Sequence, residues 1–208
     1  MLLADEFFLI AHDDAKGRPR LHASATGLGL AAGLLGELLL ARRIVIGGGT
    51  VTVVDRRPPD DALAHTVLDQ LVGEPGHRSI RTWLMFLGNS AVDSVGERLA
   101  RAGTVRREET RRMLRTTVIY RPVDMNTAAW PVTRLRASLG RAEPLPTEDV
   151  LLLALLAATN LLREVLWGTD PGVQQRLHQL IDGLPPPLSE LARHTEAAVG
   201  AAILAGRP

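Results

Sequence analysis

The stretch from Ser24 to Val54, SATGLGLAAGLLGELLLARRIVIGGGTVTVV, decides the fold class. Its first half is apolar all round at helical spacing. Ser24 or Thr26 is placed to cap a helix that runs to about Arg42, where two cations meet the negative end of the helix dipole. The second half changes period. Ile44-Val45-Ile46 and Val51-Thr52-Val53-Val54 are rich in β-branched residues and flank Gly47-Gly48-Gly49, which predicts a hairpin.

The same alternation continues outward from this unit. Upstream, Leu2 to Ala11 reads as a buried helix with Asp5 and Glu6 near its positive end, and Asp13 to Arg20 as a turn containing Gly17 and Pro19. Downstream, helical spacing predicts helices over Ala62–Val72, Ser79–Leu87 and Val92–Ala102, the last stopped by Gly103. Thr104-Val105 and Met113 to Tyr120 then bracket a polar loop, Arg106 to Arg112, in a second predicted hairpin closing near Pro122. Further helices are expected at Thr133–Leu139, Thr147–Trp167, Gly172–Ile181 and Leu188–Leu204, with a linker at Glu143–Pro146 and a break at Pro185-Pro186-Pro187. The expectation is a mainly α fold: one compact helical domain over residues 1–208, with about eight helices and two β-hairpins.

Composition narrows the function classes. The 208 residues include no cysteine, so disulfides, thiolate zinc sites and a cysteine nucleophile are excluded. Asp5 and Glu6 interrupt the only candidate for a secretory leader, and a cytoplasmic location is expected. The apolar run Val150–Leu162 is shorter than the roughly 20 residues a bilayer span requires. Lys16 is the only lysine among 24 basic residues, a bias that a GC-rich genome explains better than phosphate recognition does.

No catalytic pattern emerges. The sequence lacks a P-loop, a serine elbow and a pair of histidines on one helical turn, and its six histidines are scattered. Gly27, Gly29 and Gly33 do not have dinucleotide-fingerprint spacing and read as close helix packing. The carboxylate pairs Asp13-Asp14, Glu108-Glu109 and Glu148-Asp149 each suit a turn, a hairpin or a helix start. A non-enzymatic protein is expected, with no cofactor and no metal.

The strongest functional signal is basic. Arg98, Arg101, Arg106, Arg107, Arg111, Arg112, Arg115 and Arg121 fall within 24 positions, offset by Glu97, Glu108 and Glu109. A hairpin tip carrying Met113 and Leu114 among arginines suits an anionic bilayer, whose surface is worth about 1 kcal/mol per cation. The plainer reading is a solvated hairpin whose arginines and glutamates pair across strands or within an oligomer.

Four stretches together resemble the Golgi phosphoprotein 3 (GPP34) family. Asp5-Glu6-Phe7-Phe8-Leu9-Ile10-Ala11-His12-Asp13-Asp14 with Gly17 is similar to its acidic start, apolar helix and glycine turn. Gly33-Leu34-Leu35-Gly36-Glu37-Leu38-Leu39-Leu40-Ala41-Arg42-Arg43-Ile44 resembles its most recognisable helix, with one glutamate and a basic end. Glu97-Arg98-Leu99-Ala100 with Gly103 and Val105 resembles the helix before its hairpin, and Leu151 to Ala157, continuing to Leu166, its long core helix. The resemblance implies a mostly helical fold and no enzymatic activity. It also implies peripheral membrane association through a phosphatidylinositol 4-phosphate headgroup, a hairpin that meets membrane or a second subunit, and capture of cytoplasmic tails of membrane proteins. Carried over without gaps, the family's pocket tryptophan and three arginines fall on His22, Ala31, Asp93 and Gly96. Arg20, His22 and Arg98 are then the candidate substitute headgroup site, and Arg106, Arg107, Arg111, Arg112, Met113, Leu114 and Arg115 the candidate membrane or oligomer hairpin.

The expected partners are anionic phospholipid on the inner face of a membrane, tails of membrane proteins, or further copies of the chain. A structural homo-oligomer without lipid binding is one alternative. The other is a winged-helix-like nucleic-acid binder, suggested by a helix ending at Arg42-Arg43 before a glycine-tipped hairpin. A net charge of +1 and the apolar character of Leu28–Leu40 disfavour it.

Overall fold

A computed structural model describes residues 1–112, 115–141 and 144–205. Ten helices occur among them: α1 (Leu3–Ala11), α2 (Ala23–Leu40), α3 (Ala62–Gly73), α4 (Ile80–Gly88), α5 (Ala91–Arg101), α6 (Met125–Gly140), α7 (Thr147–Ala158), α8 (Leu162–Leu166), α9 (Pro171–Asp182) and α10 (Pro186–Ala205). Two antiparallel hairpins interrupt them, β1 (Ile44–Gly47) with β2 (Thr50–Val53), and β3 (Val105–Arg112) with β4 (Arg115–Pro122). The mainly α expectation holds, with ten helices in place of about eight.

Helix α2 is the spine. Leu30, Leu34, Leu35 and Leu38 are buried among α1, α4, α7 and α10, because apolar residues on every side leave no face for water. Its length and composition would suit a membrane span, yet 78% of it is buried inside the protein. The small residues set how closely its neighbours approach. A Cβ on Gly27 would meet the Gly88 carbonyl, and one on Gly29 the Phe7 ring. The glycines therefore serve close packing, as their spacing suggested. The cap differs from expectation: His22, not Ser24 or Thr26, is the N-cap residue, its Nδ1 accepting from the Ser24 N–H at 3.4 Å. Thr26 already lies inside the helix and donates its hydroxyl to the His22 carbonyl at 3.3 Å.

The first hairpin has a two-residue turn in which Gly48 and Gly49 take φ of 59° and 75°, the left-handed pair that a tight right-twisted hairpin needs. Three other segments correct the sequence reading. Helix α6 begins at Met125 rather than Thr133, because Asp124 caps it by accepting from the N–H groups of Asn126 (3.2 Å) and Thr127 (2.9 Å). Pro131 lies inside that helix on its buried side. The helix expected over Thr147–Trp167 is two, α7 and α8, parted where Asn160 turns left-handed with φ of 62°. Finally, Arg106–Arg112 is not a polar loop but strand β3, paired residue by residue from Val105↔Pro122 to Arg112↔Arg115. Met113, Leu114 and the linker residue Glu143 lie outside the described residues.

Candidate functional site

Arg98 was expected at a headgroup surface, and the structure places it inside. Only 7% of it is exposed. Its Nε donates to Asp5 Oδ1 at 2.8 Å, Nη1 to Glu37 Oε2 and Asp61 Oδ1 at 3.0 Å, and Nη2 to Glu37 Oε1 at 3.0 Å. Glu37 also accepts the Ala4 N–H at 2.8 Å, and Asp61 caps α3. One guanidinium therefore ties α1, α2, α3 and α5 together, and it has no fork left for a phosphate. Burial pushes the Asp5 and Glu37 carboxyls above their ordinary range, against the pull of Arg98. A second such node joins α1, α6 and α7, where Arg134 bridges Glu6 and Asp149.

The other two members of the expected headgroup site are engaged elsewhere. Arg20 reaches Glu164 of α8 at 3.0 Å and the His12 carbonyl at 3.2 Å, and His22 is the helix cap described above. Arg20, His22 and Arg98 are not brought together. The carried-over pocket positions are filled in a different way. Ala31 is fully buried within α2. Gly96 lies under the ring of Tyr120, where a Cβ would come within 2.6 Å of the aromatic carbons. Asp93 accepts from the Tyr120 hydroxyl at 3.4 Å. A long cation at 31 or 96 would have to displace the core or Tyr120.

Tyr120 is the residue that sequence reading missed. It is 4% exposed and stands edge-on to Phe8, whose ring stacks on His12 at 4.0 Å. Gly17 presses on its backbone, where a Cβ would strike the Tyr120 carbonyl. Burial, together with the Asp93 and Glu97 carboxylates, pushes its hydroxyl up to about 12. Its only sequence signal was its place as the single tyrosine of the chain, just before Arg121-Pro122.

Tyr120 anchors the base of the second hairpin. Val105 and Tyr120 face the body; Arg106, paired across from Arg121, faces water. Arg107 pairs with Glu97 of α5 at 2.9 Å and with Glu109, and Arg121 pairs with Glu108 at 3.1 Å. Arg106 has no carboxylate partner among the described residues. Arg111, Arg112 and Arg115 occupy the ends of the strands next to the turn. The hairpin starts beyond the C-terminal end of α5 and folds back along it, since Arg107 meets Glu97 and Tyr120 meets Asp93. Eight residues of strand extend about 27 Å, whereas the 11-residue α5 is about 16 Å long. The strands are therefore longer than the helix they fold back along.

A groove of about 440 Å³ between α3 and α4 holds Glu74 and His77, both exposed and 3.9 Å apart, beside Trp83 and Phe86. Among the described residues no group of three or more histidine or acidic side chains is arranged to hold a metal ion. The family model described as Golgi phosphoprotein 3 (GPP34) matches residues 3–204, nearly the whole chain. None of the curated proteins compared with the chain matches it.

Proposed function

Because the chain belongs to the Golgi phosphoprotein 3 (GPP34) family, we propose that it is a non-enzymatic, cytoplasmic peripheral protein that docks on the anionic inner face of a membrane through hairpin β3–β4. The observation that carries this reading is the charge of the β3–β4 ribbon. Between Val105 and Pro122 there are six arginines and two glutamates, and the two glutamates are taken up by Arg107 and Arg121. By sequence the segment has four more arginines than glutamates, and Arg106, Arg111, Arg112 and Arg115 are the cations assigned to the contact. At about 1 kcal/mol for each cation near an anionic surface, four arginines supply roughly 4 kcal/mol, close to a thousandfold in partitioning.

The binding is to surface charge rather than to one headgroup. The positions that would form a phosphatidylinositol 4-phosphate pocket in the family are here a helix cap, a core alanine and the seat of Tyr120. Basic hairpins of this kind also suit acidic segments in cytoplasmic tails of membrane proteins, which are the protein partners this reading admits.

Sedimentation with phosphatidylglycerol vesicles tests the proposal. Wild type should bind at low salt and dissociate at high salt. Reversal of Arg106, Arg111, Arg112 and Arg115 to glutamate should abolish binding without changing the melting temperature. Vesicles of matched charge containing phosphatidylinositol 4-phosphate should bind no more tightly. Absence of wild-type binding to every anionic vesicle would refute the reading.

A further inference from the structure

Three acid-free segments of the sequence meet at one end of the fold. No aspartate or glutamate occurs from Ala15 to Gly36, from Pro75 to Val92, or after Glu196. Helix α2 begins in the first segment, α4 ends in the second and α10 ends in the third. The crossing of α2 and α4 is unusually close because Gly27 and Gly88 face each other, and a Cβ on Gly88 would lie 3.3 Å from the Gly27 carbonyl carbon. Ser24, Leu28, Met85, Phe86, Asn89 and Ala202 consequently line a shallow hollow of about 300 Å³.

The rim of that hollow is apolar and open to water. Met85 is 56% and Phe86 53% exposed, and beside Ala202 the last turn of α10 leaves Ile203 48% and Leu204 68% exposed. Arg81 lies one helical turn before Met85, is exposed, and has no carboxylate partner among the described residues. Exposed large apolar side chains with a cation beside them and no acid among the described lining residues match the chemistry of an anionic lipid–water interface. They match a protein partner less well, since that would ordinarily supply charges to be answered. Hairpin β3–β4 approaches the same end, since Tyr120 of β4 meets Asp93 in the first turn of α5, the helix that follows α4.

We propose that the crown formed by Met85, Phe86 and the end of α10 is a membrane-contacting surface, inserted at the headgroup boundary of an anionic bilayer while the hairpin arginines hold its phosphates. The proposal rests on the membrane reading above and assigns it a second, apolar point of contact. The hairpin provides attraction from a distance; the crown provides burial on arrival. Two points of contact also fix orientation, because a single basic ribbon leaves the body free to pivot.

The chain contains no cysteine, so one introduced cysteine can carry an environment-sensitive fluorophore. The label is placed at Met85→Cys, with Gln179→Cys on α9 as the control, and phosphatidylglycerol vesicles are added. The expected result is a severalfold rise in fluorescence with a blue shift at position 85 and no change at 179. The double variant M85Q/F86Q, which keeps the charge, should partition about tenfold less tightly or worse. If the wild type sediments with vesicles but the label at 85 remains water-exposed, the crown is not the contact and the hairpin reading stands alone. If the wild type does not bind vesicles, both fall. A label that brightens with protein concentration and no lipid shows that a second copy covers the crown, which also overturns the proposal. The label decides even if the double variant folds poorly.

Discussion

Replacing Arg98 with methionine tests the internal cluster most directly, because it keeps most of the side-chain volume and removes the charge. Four hydrogen bonds disappear, one to Asp5, two to Glu37 and one to Asp61. Asp61 keeps 25% of its side chain exposed and is re-solvated easily. Asp5 and Glu37 are not, so two buried carboxylates are left without a cation. Removing one partner of a buried ion pair costs about 3–5 kcal/mol, a large part of the roughly 5–15 kcal/mol that holds a domain folded. The sign of the pH dependence follows from the direction of the shifts. Burial already raises both carboxyls in the folded protein, and loss of Arg98 raises them further. A group whose folded pKa lies above its unfolded value destabilises the fold fully above the folded pKa, and the penalty lifts as pH falls through it toward the unfolded value. Urea unfolding followed by circular dichroism should therefore show a smaller deficit for Arg98→Met at pH 5 than at pH 7. The milder Glu37→Gln should cost about 1–2 kcal/mol, since Arg98 retains Asp5 and Asp61. A deficit for Arg98→Met below about 1 kcal/mol, or one equal at both pH values, would show that these carboxylates are solvated and the reasoning wrong.

Two further outcomes are expected in addition to the vesicle experiments. Gly27→Ala should destabilise by about 1–3 kcal/mol in thermal melts, because the added methyl meets the Gly88 backbone, which cannot rotate away as a side chain would; an unchanged melting temperature would mean that α2 and α4 separate freely. Tyr120, the only tyrosine, should titrate in ultraviolet absorbance near 12 when folded and near its ordinary value of about 10 in denaturant. Since the unfolded chain loses that proton first, stability should fall as pH rises from about 10 toward 12.

Helices with continuous apolar spacing were legible from the sequence because their own residues specify both period and burial; α2, α3 and α5 lie close to where spacing puts them. Segments that depend on a single backbone angle were not, and Asn160 divides α7 from α8 with no interruption in the run of leucines that precedes it. Strand β3 was hidden for a different reason. Arg106, Arg107 and Glu109 are exposed and Glu108 half-buried, so this stretch shows no apolar alternation and reads as loop. Arg98 was misread because its sequence neighbours Glu97 and Arg101 are surface residues, whereas its partners Asp5, Glu37 and Asp61 are far off along the chain. Of the candidate site, the net charge of the hairpin was visible in the sequence. The occupation of the pocket positions by Tyr120 required three dimensions, as did the meeting of Met85 with α10.

The burial of α2 also has a bearing on synthesis. Its 18 residues are apolar enough to be mistaken for a signal anchor, and the helix that covers much of it, α10, lies far along the chain, at Pro186–Ala205. While the ribosome makes everything from α3 to α9, α2 lacks part of its cover and remains a potential substrate for targeting factors and chaperones. The acid that interrupts it, Glu37, requires Arg98 as its partner, so the segment stays mismatched in charge as well as unwrapped until α5 has been made. A chain with so apolar a central helix must thus get through its own translation without that helix being threaded into a bilayer.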